Sequence, residues 1–290
     1  MAQFVITGTG TDIGKTVFAA GLTGLIGADY WKPVQTGVTG DGPAPEGSDA
    51  AFVRTMTGAR IHESLAVLPE PLSPHRAAEL AGVTLEPETW TIPQADPLVI
   101  EGAGGVLVPM TRNILSADLF ARWGIPVILC ATTGLGTISH TLSAIESLRA
   151  RGCPLHGVAF IGDDNPDNIA TIGQIGGVRV LGRLPRLPDL TPEALRRRLE
   201  QGLVYRPARA DEALHQIGYR PVYRATASEE DLNEALASVT GTVFVAGGDG
   251  SLHAVVQALY KRRELGKRTL GLLPLCLIGD SGTGKSHLLI

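Results

Sequence analysis

QFVITGTGTDIGKT, from Gln3 to Thr16, decides the fold. A mostly apolar run ends in a turn carrying Gly8, Gly10 and Gly14, and a helix is predicted from Gly14 to Ile26. Strand, glycine turn and helix start together make an anion site, because backbone N–H groups and the helix dipole point at phosphates. Lys15 would reach the terminal phosphates as a point charge, and the Thr16 hydroxyl would ligate Mg2+. The pattern is G-x5-G-K-T, one residue longer between its glycines than the usual phosphate loop.

Outward from this loop, short apolar runs alternate with helix-like stretches. YWKPV (30–34) reads as a strand, and QTGVTGDGPAPEGS after it as loop, with a helix from about Asp49. PLVIEGAGG (97–105) and PVILCAT (126–132) are buried strands running into turns, the second followed by turn plus helix in GLGTISHTLSAIESLRARG. LHGVAFIGD (155–163) and VRVLGRLP (178–185) complete the set. Near-continuous apolar strands separated by helices mean parallel βαβ units covered on both faces. The expected class is α/β, a P-loop NTPase-like, mostly parallel sheet with helices on both faces, over residues 1–203. Ligands in such folds sit beyond the C-terminal ends of the strands.

Composition narrows the function classes. The hydrophobic share of 44 % supports a core, and a net charge of −4 offers no basic field for nucleic acid or anionic lipid. No apolar run approaches the ~20 residues of a membrane span, and MAQFVITGTG has no export pattern. Cys130, Cys153 and Cys276 lack metal or redox spacing and read as small apolar fillers. The expectation is a cytoplasmic protein with neither nucleic-acid nor membrane partners.

Three polar residues stand at strand ends. Glu101 closes a buried apolar strand and is followed by Gly102, Ala103 and Gly104, where backbone can approach a ligand. Asp49, in GSDA, is either a hard-oxygen donor to a cation or a helix N-cap. Lys32, between Trp31 and Pro33, is either a solvated surface lysine or a positioned charge. His75, in SPH, reads as structural, since no acid partner can be named for it.

GTGTDIGKT, YWKPVQTG, GSDA, EPLSPHRAAELAG, LVIEGAGG, PVILCATTGLGTISHTLSAI and LGRLPRL, in that order, resemble dethiobiotin synthetase over residues 1–203. That family joins CO2 to 7,8-diaminopelargonate using ATP and closes a cyclic urea, through a carbamate and a carbamic–phosphoric anhydride. The resemblance implies Thr16, Asp49 and Glu101 as Mg2+ ligands, Lys15 and Lys32 flanking the transferred phosphate, and Lys32 as the catalytic charge. It places Thr11 near the carbamate and Thr36 against substrate. Asp12, Ile13, Gly14, Lys15, Thr16 and Val17 match the nucleotide loop, and Pro185, Arg186 and Leu187 the adenine-edge loop. Amides around Thr137, Ile138 and Ser139 would hold the substrate carboxylate for a neighbouring subunit, which implies a homodimer. Gly10 occupies the position where the partitioning and cell-division-site ATPases carry a second lysine, which argues against that group. One departure from the family stands out: Ile161 is found where an adenine-reading Asn is common.

After Leu203 the text changes. VFVAGGDGSLHAVVQAL and TLGLLPL (about 205–275) resemble part of a diacylglycerol-type lipid kinase. CLIGDSGTGKSHLLI (276–290) resembles the phosphate loop of AAA-type transposition and replication helpers. The latter matches G-x4-G-K-S, but four residues after Ser286 make barely one turn, and isolated short helices are marginal. TLGLLPL and CLIG also follow one another without the dozen-residue crossover parallel strands need. Residues 204–290 are therefore expected to be an appended tail of incomplete α/β fragments, loosely packed and not independently functional. A DNA-helper ATPase using Lys285 and a lipid-kinase activity of the tail are the competing functions.

Overall fold

The structure is a computed structural model describing residues 2–200 and, beyond them, the backbone of Tyr223–Thr226, Val243–Ala246, Leu270–Leu273 and Ser286–Leu289. Its central element is β1 (Gln3–Gly8), which ends fully buried and hands the chain to α1 (Lys15–Ile26). Then come β2 (Asp29–Trp31), β3 (Val34–Thr36), α2 (Asp49–Thr57), β4 (Ile61–His62), β5 (Ala66–Leu68) and α3 (Pro74–Ala81). The second half holds β6 (Leu98–Gly105), α4 (Ser116–Trp123), β7 (Val127–Thr132), α5 (Thr137–Ala150), β8 (Leu155–Ile161), α6 (Pro166–Ile175), β9 (Val180–Leu184) and α7 (Pro192–Glu200).

Seven strands form one sheet in the order β4-β2-β6-β1-β7-β8-β9, and every pairing in it is parallel. The apolar runs explain this: Val127, Ile128, Leu129, Cys130 and Ala131 are all 0 % exposed, so both faces of β7 are covered. Burying each such large side chain is worth about 1.5–3 kcal/mol. α1, α2 and α7 contact one another, and α4, α5 and α6 form a second connected set. This is the expected α/β class, a P-loop NTPase-like parallel sheet with helices.

The predicted YWKPV strand breaks in two. β2 ends at Trp31 and stays in the main sheet, whereas β3 pairs with β5 in a separate two-stranded sheet. Pro33 cannot donate to a ladder. The break instead leaves its carbonyl to accept from Leu65 and leaves Lys32 at the end of β2.

The chain divides into two compact units, Met1–Tyr205 and Arg206–Ile290. In the second, β10 (Tyr223–Thr226), β11 (Val243–Ala246), β12 (Leu270–Leu273) and β13 (Ser286–Leu289) make a sheet in the order β10-β13-β11-β12. β13 runs antiparallel to both its neighbours, while β11 and β12 are parallel. The residues closing the second glycine loop are thus a strand and not a helix start, and β13 needs no crossover connection. The rest of that loop, Lys285 included, the GGDG segment and the packing of the tail lie outside the described residues.

Candidate active site

β1 and β6 end side by side, and their last residues, Gly8 and Gly105, are paired. A Cβ on Gly105 would lie 3.3 Å from the Gly8 carbonyl oxygen, so β6 presses its backbone against the phosphate loop. Gly14 has φ 93, a left-handed conformation that favours glycine, and a Cβ there would meet Ile161 at 2.9 Å. Asp12 is the one non-glycine residue with positive φ among the described residues. The Lys15 ammonium donates to the Gly10 carbonyl at 2.7 Å, across its own loop. Burial lowers the pKa of Lys15 from its ordinary 10.5, against an opposing pull from Glu101.

Four of the residues singled out in the sequence meet at one point. Glu101 is 1 % exposed. Its Oε1 accepts from the Thr16 hydroxyl at 2.8 Å and from Lys32 Nζ at 3.1 Å. Lys32 Nζ also lies 2.5 Å from Asp49 Oδ2. Burial pulls the Lys32 pKa down, but Glu101 and then Asp49 outweigh it, and the net shift is upward. For Asp49, burial pushes the carboxyl up, while the charge and hydrogen bond of Lys32 and a hydrogen bond from Thr16 bring it below its usual range. Lys32 is therefore a positioned charge, held ammonium-positive through neutral pH.

The alternative role for Asp49 does not hold. Ser48 is the N-cap of α2, its hydroxyl oxygen accepting from the Ala51 amide at 3.0 Å, and Asp49 stands one residue inside the helix. Its backbone amide donates to Gln35 Oε1 at 3.1 Å, which fixes the helix start against β3. His75 pairs with the Ser73 hydroxyl at 3.0 Å, a local contact.

The other candidates stand after β1, at the ends of β3 and β8, after β9 and at the start of α5. Thr11 is exposed on the loop and Thr36 half-buried at the end of β3. Thr137 is buried, and its hydroxyl donates to the Thr132 carbonyl at 2.6 Å, so its side chain is committed to the fold. No side chain caps the first turn of α5, where Ile138 and Ser139 follow. Pro185, Arg186 and Leu187 follow β9, with Arg186 near Asp163 across 3.9 Å. Ile161, at the end of β8, presents hydrocarbon only.

The sequence reading missed Tyr30. It is 0 % exposed, and its hydroxyl donates to Glu101 Oε2 at 2.8 Å. Strand alternation puts residues 30 and 32 on one face, which was the available signal.

The donor set fits a hard divalent cation. Three oxygen-bearing groups, Thr16, Asp49 and Glu101, converge where an ammonium already sits, with no sulfur or imidazole among them. Among the described residues no group of three or more His, Cys, Asp or Glu side chains forms a cage. One hydroxyl and two carboxylates suit Mg2+, which usually takes one or two carboxylates and completes its shell with water and phosphate.

A strand-to-helix phosphate loop with a buried lysine–carboxylate cluster on a parallel sheet defines a nucleotide-binding P-loop domain, and a family model described as an AAA domain matches residues 2–194. Curated relatives narrow this further. The chain is 51 % identical over 208 residues to the ATP-dependent dethiobiotin synthetase BioD of Novosphingobium aromaticivorans, covering 70 % of this chain and 97 % of that one. It is 53 % identical to that of Agrobacterium fabrum (69 % and 93 % covered) and 54 % identical to one from Rhodopseudomonas palustris (66 % and 89 %). The chain belongs to the ATP-dependent dethiobiotin synthetase family. Residues 201–280 match a second model, the diacylglycerol kinase catalytic domain.

Proposed function

We propose that residues 1–203 form a Mg2+-dependent ligase that closes the ureido ring of dethiobiotin from 7,8-diaminopelargonate and CO2, a step of biotin synthesis in the cytoplasm. The observation that carries this reading is the placement of Lys32 Nζ, 2.5 Å from Asp49 and 3.1 Å from Glu101, beside the phosphate loop.

One substrate amine takes up CO2 and loses a proton to give a carbamate. A carbamate oxygen then attacks the γ-phosphorus of ATP and ADP leaves. The second amine attacks the carbamic carbon of the resulting anhydride and gives up a proton, the ring closes and phosphate leaves. The carbamate, the triphosphate and the anhydride are all anionic, and the work left to the protein is positioning and charge neutralisation. Lys15 and the loop amides of Asp12 to Val17 would hold the phosphates. Lys32, buried and charged, would stabilise the carbamate and the phosphoryl oxygens it approaches. Thr16, Asp49 and Glu101 would hold Mg2+, which supplies neutralisation of the phosphate charge when bound.

Thr11 would sit near the carbamate and Thr36 against the diamine. Gly102, Ala103 and Gly104 would let the backbone approach the nucleotide, and Pro185 to Leu187 would edge the adenine. The open first turn of α5, at Thr137 to Ser139, would bind the substrate carboxylate across a homodimer. Residues 204–290 are read as an appended tail without an activity of its own.

The test is phosphate release from ATP in bicarbonate, with and without 7,8-diaminopelargonate, for the wild type, Lys15→Ala and Lys285→Ala. Turnover is expected to require the diamine, to be lost in Lys15→Ala and to survive in Lys285→Ala. Turnover indifferent to the diamine would sink the ligase reading.

A further inference from the structure

Glu101 accepts three hydrogen bonds, and its two oxygens are used differently. Oε1 faces the site, taking the Thr16 hydroxyl and Lys32. Oε2 faces away from these donors and takes the Tyr30 hydroxyl at 2.8 Å. A carboxylate at the end of a glutamate side chain turns on a broad, roughly two-fold torsion. Left to itself it would exchange its oxygens and tilt. Tyr30 prevents that for a simple reason. Its ring is fully buried in β2, which pairs with β6 through Tyr30 and Val99 and through Trp31 and Ile100. The hydroxyl is therefore fixed to the same sheet that carries Glu101, two residues beyond Val99. It has no rotamer freedom to follow a moving carboxylate.

We infer that Tyr30 is the positioning residue for the metal-binding carboxylate. By pinning Oε2 to the sheet it presents Oε1, with Thr16, to a divalent cation accompanying the nucleotide. Partners of this kind typically contribute 10–100-fold to metal affinity, because they fix ligand orientation before the metal arrives. The inference rests on the reading of Glu101 as a metal ligand, and the experiment separates the two.

Mn2+ serves as the probe. Its affinity for the protein–ADP complex is read by electron paramagnetic resonance of the free ion, alongside ADP affinity without metal. Tyr30→Phe keeps the ring and removes only the donor. Tyr30→Met fills the same slot by a different shape. Both are expected to weaken Mn2+ binding about tenfold or more while metal-free ADP binding stays at the wild-type value. In a Glu101→Ala background, Tyr30→Phe should add nothing further. If both Tyr30 variants bind Mn2+ like wild type while Glu101→Ala does not, the positioning role is overturned and the metal reading stands. If metal-free ADP binding falls along with Mn2+ binding in both variants, Tyr30 is only a core support and the inference fails. If Glu101→Ala itself binds Mn2+ normally, the metal reading fails and takes this inference with it.

Discussion

Lys32 neutralises two carboxylates, so its removal has two separable effects. In Lys32→Ala, Asp49 and Glu101 are left without their ammonium. Breaking a buried pair from one side costs about 3–5 kcal/mol, and the lower end applies because Asp49 is 34 % exposed. Urea unfolding should show a loss near 3 kcal/mol, partly recovered by millimolar Mg2+, since a cation placed between the carboxylates replaces the lost charge. Turnover should fall roughly 10²–10³-fold, the size expected for one preorganised charge in phosphoryl transfer. An unchanged melt would mean that Lys32 is not the counter-ion. Gly14→Ala should cost about 1–2 kcal/mol for the left-handed backbone and weaken ATP binding through contact with Ile161 at 2.9 Å. Calorimetric titration of ATP checks it. Lys15, Thr16 and Glu101 were legible in the sequence because a glycine turn and an acid closing an apolar strand are local patterns. The choice between a hard-oxygen donor and an N-cap for Asp49 was not, because Ser48 and Asp49 compete for the cap and only the fold shows that Ser48 takes it and that Asp49 meets Lys32. Tyr30 and Gln35 escaped for a related reason. Their partners are 71 and 14 residues away, and nothing local announces them.

At the scale of elements, α1 and α7 touch at a glycine. A Cβ on Gly21 would lie 2.8 Å from Leu199 Cγ and 3.3 Å from Leu195 Cδ1. Gly→Ala inside a helix ordinarily gains about 0.5–1 kcal/mol, but here the gain should be reversed as α7 is pushed off. A melting temperature above wild type for Gly21→Ala would contradict the close packing. Another element-level expectation concerns pH. His156 of β8 stacks edge-on with Phe4 of β1 at 5.2 Å, and burial, then Arg179, lowers its pKa below 6.5. Between that folded pKa and 6.5 the unfolded chain binds more protons, so stability rises with pH across the window and the gain is complete above 6.5. Urea melts from pH 5 to 8 should show this slope, and His156→Phe should flatten it. The long strands β1, β6, β7, β8 and β9 were readable because each carries a mostly apolar run with a buried stretch. The strands β3, β4 and β5 were not, because two or three residues carry no periodicity. The split at Lys32–Pro33 likewise depends on which strand each half finds.

The whole molecule is a family domain with an additional segment matching another family. A chain ending at Tyr205 is expected to keep diamine-dependent turnover within about twofold of the full chain, since every residue of the proposed site belongs to the unit Met1–Tyr205. Loss of activity on truncation would assign the tail a role. The second glycine loop shows why spacing alone misleads. It fits the phosphate-loop pattern letter for letter, yet Ser286–Leu289 form a strand, so no helix begins at the residue after its lysine. The first loop deviates by one residue, but it stands between a buried strand and a helix, where the physics of phosphate binding requires it to be. The most direct measurement is an anomalous difference map from crystals grown with Mn2+ and a non-hydrolysable ATP analogue. The account predicts a peak about 2.1 Å from the Thr16 hydroxyl and from oxygens of Asp49 and Glu101, with the triphosphate along residues 12–17. Nucleotide density confined to residues 279–286, with Asp49 and Glu101 turned away from any metal peak, would contradict it.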